Sequence, residues 1–305
     1  YRPVWLMVGA KGHIAPYGVR ITTESYDPAE IAVDVTADGE KSGEKILVDI
    51  YDGDNLLVSA EGTHSTLKIP NAKLWNAEHP HLYRCHVQLL DGEKLLDEVW
   101  EPFGIRKLEW DAKKGFLVNG ERTLLKGGCI HHDNGILGAR SYAQAEWRRI
   151  ARLKEFGYNA IRSAHNPISR ATLEACDALG MYVLDEAWDT WYQAKNPYDC
   201  SVGFSERYET DLQQMVDKDY NHPSVIMYSI GNEVTEPAKK QGLAMEKKLV
   251  ETVKRLDATR PVTAGINVTL LLMAKLPFDP IAMFAGGNKK DEETEDQPKE
   301  NKPMN

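Results

Sequence analysis

Four polar clusters in this chain place side chains that can move a proton or grip a polar group just after short apolar runs. The last is Asn232-Glu233, which closes the stretch Asp219-Tyr-Asn-His-Pro-Ser-Val-Ile-Met-Tyr-Ser-Ile-Gly-Asn-Glu233. A glutamate at the end of a strand can act as a general acid or base if its surroundings hold its pKa near the working pH. The plainer reading is an Asn that caps a helix with a Glu in its first turn. Arg162, with His165 and Asn166 shortly after it, offers a guanidinium that can hold a carboxylate and an imidazole that can donate. A structural salt bridge would use the same residues. His131-His132-Asp133 has the residue types of a metal site, but adjacent positions rarely point at one ion and no third cluster joins them by spacing, so no metal is assigned. Asp185-Glu186 is the fourth cluster, and Trp188 and Trp191 behind it offer either aromatic faces to a ligand or bulk to a core.

The segments that carry these clusters alternate. Leu124–Ile130 reads as a buried strand, Ala143–Phe156 has helical spacing, and Ala160-Ile161 returns to strand. Helix over Arg170–Leu179, strand over Met181–Asp185, helix over Ser205–Tyr220 and strand over Val225–Ile230 follow. A helix over Lys239–Leu256 and a strand over Pro261–Ala264 complete the series. Such alternation means a parallel sheet, either doubly wound or closed as a (β/α)8 barrel. Every cluster sits at a strand's C-terminal end, which is where a barrel builds its site, so the barrel is preferred. Only about five of its eight strands are read.

Ahead of this lie short period-two runs, Ile31–Thr36, Lys45–Tyr51, Ser65–Ile69 and Tyr83–Leu89, broken by Asp38-Gly39, Ser42-Gly43 and Asp91-Gly92. They predict an Ig-like antiparallel β-sandwich. The expected organisation is a strand over 1–8 left from a preceding domain, a sandwich over 9–108, the first part of a barrel over 109–285, and a charged tail over 286–305 that lacks any helix or strand face. With 305 residues, the chain suits two domains, or a small domain followed by part of a larger one, so two cores are expected. A formal charge of −9 without basic clusters argues against nucleic acid or an anionic membrane as partner, and no apolar run approaches the roughly 20 residues of a membrane span. Cys85, Cys129, Cys176 and Cys200 form no C-x-x-C pair and are read as free thiols. The compartment stays open, since the chain opens at Tyr1 in mid-strand.

The stretch ending at Asn232-Glu233 resembles the acid/base signature of glycoside hydrolase family 2, the β-galactosidases, β-glucuronidases and β-mannosidases. Tyr228 stands where a Trp is frequent. Asn159-Ala-Ile-Arg-Ser-Ala-His-Asn-Pro167 is similar to the motif after the family's second barrel strand, and Gly127–Asp133 to the loop after its first. Leu184–Trp191 resembles the loop after the third, with Thr190 and Tyr192 where metal-assisted members carry Glu and His. Lys73–Tyr83 and Phe103-Gly-Ile-Arg106 are similar to the segments that join its domains, and residues 1–8 to the last strand of its jelly-roll domain.

The resemblance implies a retaining exo-β-glycosidase, β-galactosidase by the wording of its His-rich loops, with Glu233 as acid/base and Asn232 on the sugar 2-hydroxyl. His131, His165, Asn166 and Trp188 would contact substrate, Arg162 would support the nucleophile, and neither cofactor nor metal is expected. The family's nucleophile, a Glu after the seventh strand, has no counterpart in this sequence, and Asp185 and Glu186 match no nucleophile motif. The chain alone is therefore expected to be inactive, and a half-built barrel is expected to favour association through its open edges. A carbohydrate-binding scaffold on the same fold, or a five-stranded α/β enzyme closed differently, are the competing readings.

Overall fold

The computed structural model describes residues 4, 6–39 and 43–275. The tail at 286–305 and the last ten residues of the expected barrel segment lie outside them, as do 1–3 and 5, while residues 4 and 6–8 belong to no strand.

Seven strands make the sandwich. One sheet has the order β1 (His13–Tyr26), β2 (Ala29–Asp38), β5 (His64–Lys68). The other runs β4 (Asn55–Glu61), β3 (Glu44–Asp52), β6 (Tyr83–Asp91), β7 (Lys94–Phe103), and all pairings are antiparallel. Alternation turns Ile31, Val33, Val48, Ile50, Val87 and Leu89 inward, where each is fully buried between the sheets.

A three-stranded antiparallel sheet that the sequence did not announce follows, formed by β8 (Leu108–Asp111), β9 (Gly115–Val118) and β10 (Glu121–Arg122). Its Phe116 and Val118 pack with Trp75 and Ala77 against Ala160, Tyr182 and Ile226, residues at the starts of three barrel strands. The hairpin therefore covers the end of the barrel sheet opposite the polar clusters. The joining segments add directed bonds: Trp75 Nε1 donates to the Asp177 carbonyl at 2.9 Å, and Arg106 donates through Nε and Nη2 to the carbonyls of Pro223 and Val225.

The barrel sheet is parallel, in the order β11 (Gly127–Ile130), β12 (Ala160–Ser163), β13 (Tyr182–Glu186), β14 (Val225–Asn232), β15 (Val262–Gly265). A doubly wound sheet reverses its strand order at a switch point. Here each new strand adds on the same side as the last, which is how a barrel grows. Helices α1 (Ala143–Glu155), α2 (Arg170–Leu179), α3 (Phe204–Asp219), α4 (Lys240–Leu256) and α5 (Val268–Met273) alternate with the strands. Local chemistry fixes α2 closely. The Ser169 hydroxyl accepts from the Thr172 N–H at its start, and Gly180 ends it at φ +75°. A Cβ on Gly180 would sit 2.3 Å from the Ala77 carbonyl oxygen, so glycine is required there for packing as well as for backbone conformation.

Candidate active site

The C-terminal ends of β11 to β14 bring the expected residues to one rim. Arg162 lies on β12, Glu186 ends β13, and Asn232 ends β14 with Glu233 next. Glu186 is fully buried. Its Oε2 accepts from Arg162 Nη2 at 2.7 Å, from Arg162 Nε at 3.2 Å and from the Ser229 hydroxyl at 2.6 Å. Its Oε1 is 2.7 Å from His165 Nδ1. Nε and Nη2 of Arg162 thus converge on one oxygen of Glu186, and the imidazole takes the other. With a carboxylate as acceptor, Nδ1 of His165 carries the proton and Nε2 is left for a ligand. The His131 ring stands perpendicular to that of His165, 5.4 Å between centroids, and is exposed.

Asn232 does not cap a helix. It is the last residue of a strand, and its carboxamide is held on both sides: Oδ1 accepts from Arg162 Nη2 at 2.8 Å, and Nδ2 donates to Asp189 Oδ1 at 2.8 Å. Glu233 then leaves the strand at φ +45°, a left-handed conformation unfavourable for a side chain with a Cβ, and the turn puts its carboxyl group into the open. Its N–H donates to the Gly265 carbonyl at 2.6 Å and its Oε1 accepts from Asn267 Nδ2 at 3.0 Å, so β15 and the start of α5 hold it at both ends.

The expectation that Trp188 stacks on a ligand is corrected. Its side chain is 6% exposed, and Phe204 packs edge-on against it with ring centroids 5.1 Å apart. That ring is committed to the core between β13 and α3, as is Trp191, whose Nε1 donates to the Ile230 carbonyl. Asn166 sits beside the rim with its backbone carbonyl accepting from the Ser163 hydroxyl and its Oδ1 buried without a partner among the described residues.

Sequence reasoning missed Asp189 and Lys195, which lie in the loop after β13. Lys195 Nζ donates to Asp189 Oδ1 at 2.8 Å and to the Asn232 carbonyl at 2.7 Å. Burial alone would raise the Asp189 carboxyl, yet the hydrogen bonds from Lys195 and Asn232 outweigh it and hold the group below the usual carboxylate value. The available signal was only that both are polar and follow a strand that ends in a polar cluster.

Thr190 and Tyr192 do not suit a metal. Thr190 is buried with its hydroxyl 3.4 Å from Cys200 Sγ, Tyr192 packs towards Phe204, and among the described residues no three His, Cys, Asp or Glu side chains gather as ligands.

Beneath the rim, Lys218 bridges two fully buried carboxyl groups, Asp185 and Asp219. Asp185 Oδ1 in turn accepts from the N–H groups of Ile168 and Glu186. Burial pushes Asp219 well above its ordinary value of 3.8; Lys218 opposes this and Asp185 adds to it. The folded chain therefore keeps a proton that the unfolded chain releases. The stabilisation from that difference is full below about pH 4 and is lost as pH rises through the folded value. Asp219→Asn should gain on the wild type, in denaturant midpoint, increasingly from pH 4 to 8. A difference that stays constant or shrinks would exclude this protonation.

Comparison with known proteins agrees with this geometry. The family model described as "Glycosyl hydrolases family 2, TIM barrel domain" matches residues 111–281, and that described as "Glycosyl hydrolases family 2" matches residues 12–106. A protein named β-galactosidase from Bacteroides ovatus is 35% identical over 88% of this chain and 37% of its own length. A protein named β-glucuronidase from Streptococcus agalactiae is 29% identical over 88% of this chain and 46% of its own. The crystal structure of a glycosyl hydrolase family 2 member from Bacteroides cellulosilyticus superposes with a TM-score of 0.81 at 39% identity, covering 85% of this chain and 36% of that one. The chain thus spans less than half the length of each of these relatives. Strand order, rim chemistry and two family models that between them cover most of the sequence agree: the chain belongs to glycosyl hydrolase family 2.

Proposed function

We propose that this chain carries the acid/base half of a retaining exo-β-glycosidase that acts on terminal β-galactosides. The observation that carries the reading is the Asn232-Glu233 pair at the end of β14, with the amide of Asn232 fixed from two sides and the carboxyl group of Glu233 open to a ligand. Retaining hydrolysis takes two carboxyl groups about 5–5.5 Å apart. Glu233 as the acid gives its proton to the glycosidic oxygen as the C–O bond breaks, while a second carboxylate forms an ester with the anomeric carbon. Glu233, now the base, takes a proton from the water that attacks this ester, and the sugar leaves with its configuration retained. The second carboxylate is assigned to no described residue. Glu186 is buried beneath Arg162, His165 and Ser229, and it serves to orient the first two. In this reading His131, Nε2 of His165 and the side chain of Asn166 meet sugar hydroxyls.

Galactose is supported by the wording of the His-Asn-Pro and His-His-Asp loops and by the name of the Bacteroides ovatus relative. The name of the Streptococcus agalactiae relative supports a β-glucuronide as the second reading. The whole enzyme that contains this chain should release p-nitrophenol from the aryl β-galactoside faster than from the β-glucuronide, with β-galactose as the first product by proton NMR. The 305-residue chain alone should release none above background. The reverse order of rates would move the assignment to glucuronides, and a first product of α configuration would overturn the retaining mechanism.

A further inference from the structure

The loop between β13 and α3 is tied to the end of β14 at several points. The Asn232 N–H donates to the Trp188 carbonyl, the Gln193 N–H to Glu236 Oε1, and the Thr235 hydroxyl to Gln193 Oε1. At the centre of these contacts, a carboxamide lies between charges of opposite sign. Its oxygen faces the Arg162 guanidinium and its nitrogen faces the Asp189 carboxylate. A carboxamide has nearly the same shape when flipped, so sterics alone do not orient it. Flipping Asn232 would turn its N–H donors towards a cation and its oxygen towards an anion, so this pair of charges admits a single orientation.

Lys195 adds a second constraint. Its ammonium group neutralises Asp189 and also binds the Asn232 carbonyl, which belongs to the peptide linking residues 232 and 233. The N–H of that same peptide donates to the Gly265 carbonyl. The peptide that leads into Glu233 is therefore gripped at both its oxygen and its nitrogen. Asp189 and Lys195 remain 36% and 30% exposed, so they sit at the rim and not in the core.

We propose that Asp189 and Lys195 are positioning residues of this site, which fix the carboxamide of Asn232 for the sugar 2-hydroxyl and the peptide plane that aims Glu233. The inference rests on the glycosidase reading above. One hydrogen of Asn232 Nδ2 is spent on Asp189, and the orientation so enforced presents the other to the ligand.

The test uses the whole enzyme, with whichever aryl glycoside of the two it hydrolyses and the 2-deoxy analogue of that glycoside. Asp189→Ala should lower kcat/KM for the 2-hydroxy substrate on the order of 10- to 100-fold, the worth of a hydrogen bond to a charged group, and leave the 2-deoxy substrate within about twofold. In an Asn232→Ala background the same substitution should cost nothing further, because the group that it positions is gone. Lys195→Met should slow both substrates, since it frees the peptide before Glu233. Equal losses by Asp189→Ala on the two substrates, or losses that multiply in the double variant, would reduce Asp189 to general support of the fold and overturn the proposal. If Asn232→Ala itself treats the two substrates alike, the assignment of Asn232 falls and takes the proposal with it. If Asn232→Ala discriminates between them and Asp189→Ala does not, the positioning role alone falls.

Discussion

Glu233→Gln in the whole enzyme should slow hydrolysis of an alkyl β-glycoside by about 10²- to 10⁴-fold, the usual worth of a positioned acid/base group. The loss follows from the chemistry of the leaving group. An alkoxide departs only when protonated, whereas dinitrophenolate departs unaided, so the bond-breaking step for a dinitrophenyl glycoside should change little. The deglycosylation step still lacks its base, so the intermediate should accumulate with an activated substrate and appear as a burst of dinitrophenolate. The isosteric amide preserves the acceptor for Asn267 Nδ2, so the turn at φ +45° is kept and the loss is chemical. Equal slowing of both substrates without a burst would show that Glu233 does not protonate the leaving group.

The largest expected effect on stability belongs to Lys218. Asp185 and Asp219 are fully buried, and the Lys218 ammonium lies between them. Lys218→Met removes that cation and leaves the two buried acid groups without a counter-charge, which typically costs about 3–5 kcal/mol. Part of the site should go with it, because Asp185 Oδ1 holds the N–H of Glu186, the residue that orients Arg162 and His165. A triple variant that also carries Asp185→Asn and Asp219→Asn should recover much of the loss, since no buried charge then remains. Denaturant melts of the three proteins distinguish the cases. A Lys218→Met protein as stable as the wild type would mean that the cluster contributes nothing to the fold.

The rim was legible in the sequence because barrel sites are written at strand ends, and the ends of these strands are polar after apolar runs. Val225–Met227 and Tyr182–Leu184 are apolar because both faces of the sheet are covered; Ser229, Glu186 and Asn232 break that pattern where the sheet meets the site. The helix read at about Arg170–Leu179 is found there, and the Ser169 cap and Gly180 account for its sharp ends. The sandwich was legible in part. β3 and β5 alternate cleanly, and β2 and β6 do so apart from Ala32 and His86, but β1 carries irregularities between Ile14 and Val19 and between Thr23 and Ser25, and β4 and β7 are only half buried, so their alternation is blurred. The sheet over residues 108–122 stayed hidden because its strands are four, four and two residues long.

Within the site, what sequence could not supply was contact between loops. Asp189 and Lys195 are ordinary loop polars until the fold lays them against β14, and Trp188 reads equally as a platform or as core until Phe204 is seen against its ring. That Arg162 and His165 share one carboxylate is likewise visible only in the fold, where Glu186 lies between them.

The central claim, that Glu233 is the acid/base group of a retaining glycosidase, is tested most directly by supplying a nucleophile that needs no base. In the whole enzyme bearing Glu233→Ala, sodium azide should restore turnover of a dinitrophenyl β-glycoside, because azide attacks the glycosyl ester as an anion. The product should be the β-glycosyl azide, with configuration retained by two displacements. No rescue by azide, or an α-glycosyl azide as product, would contradict the account.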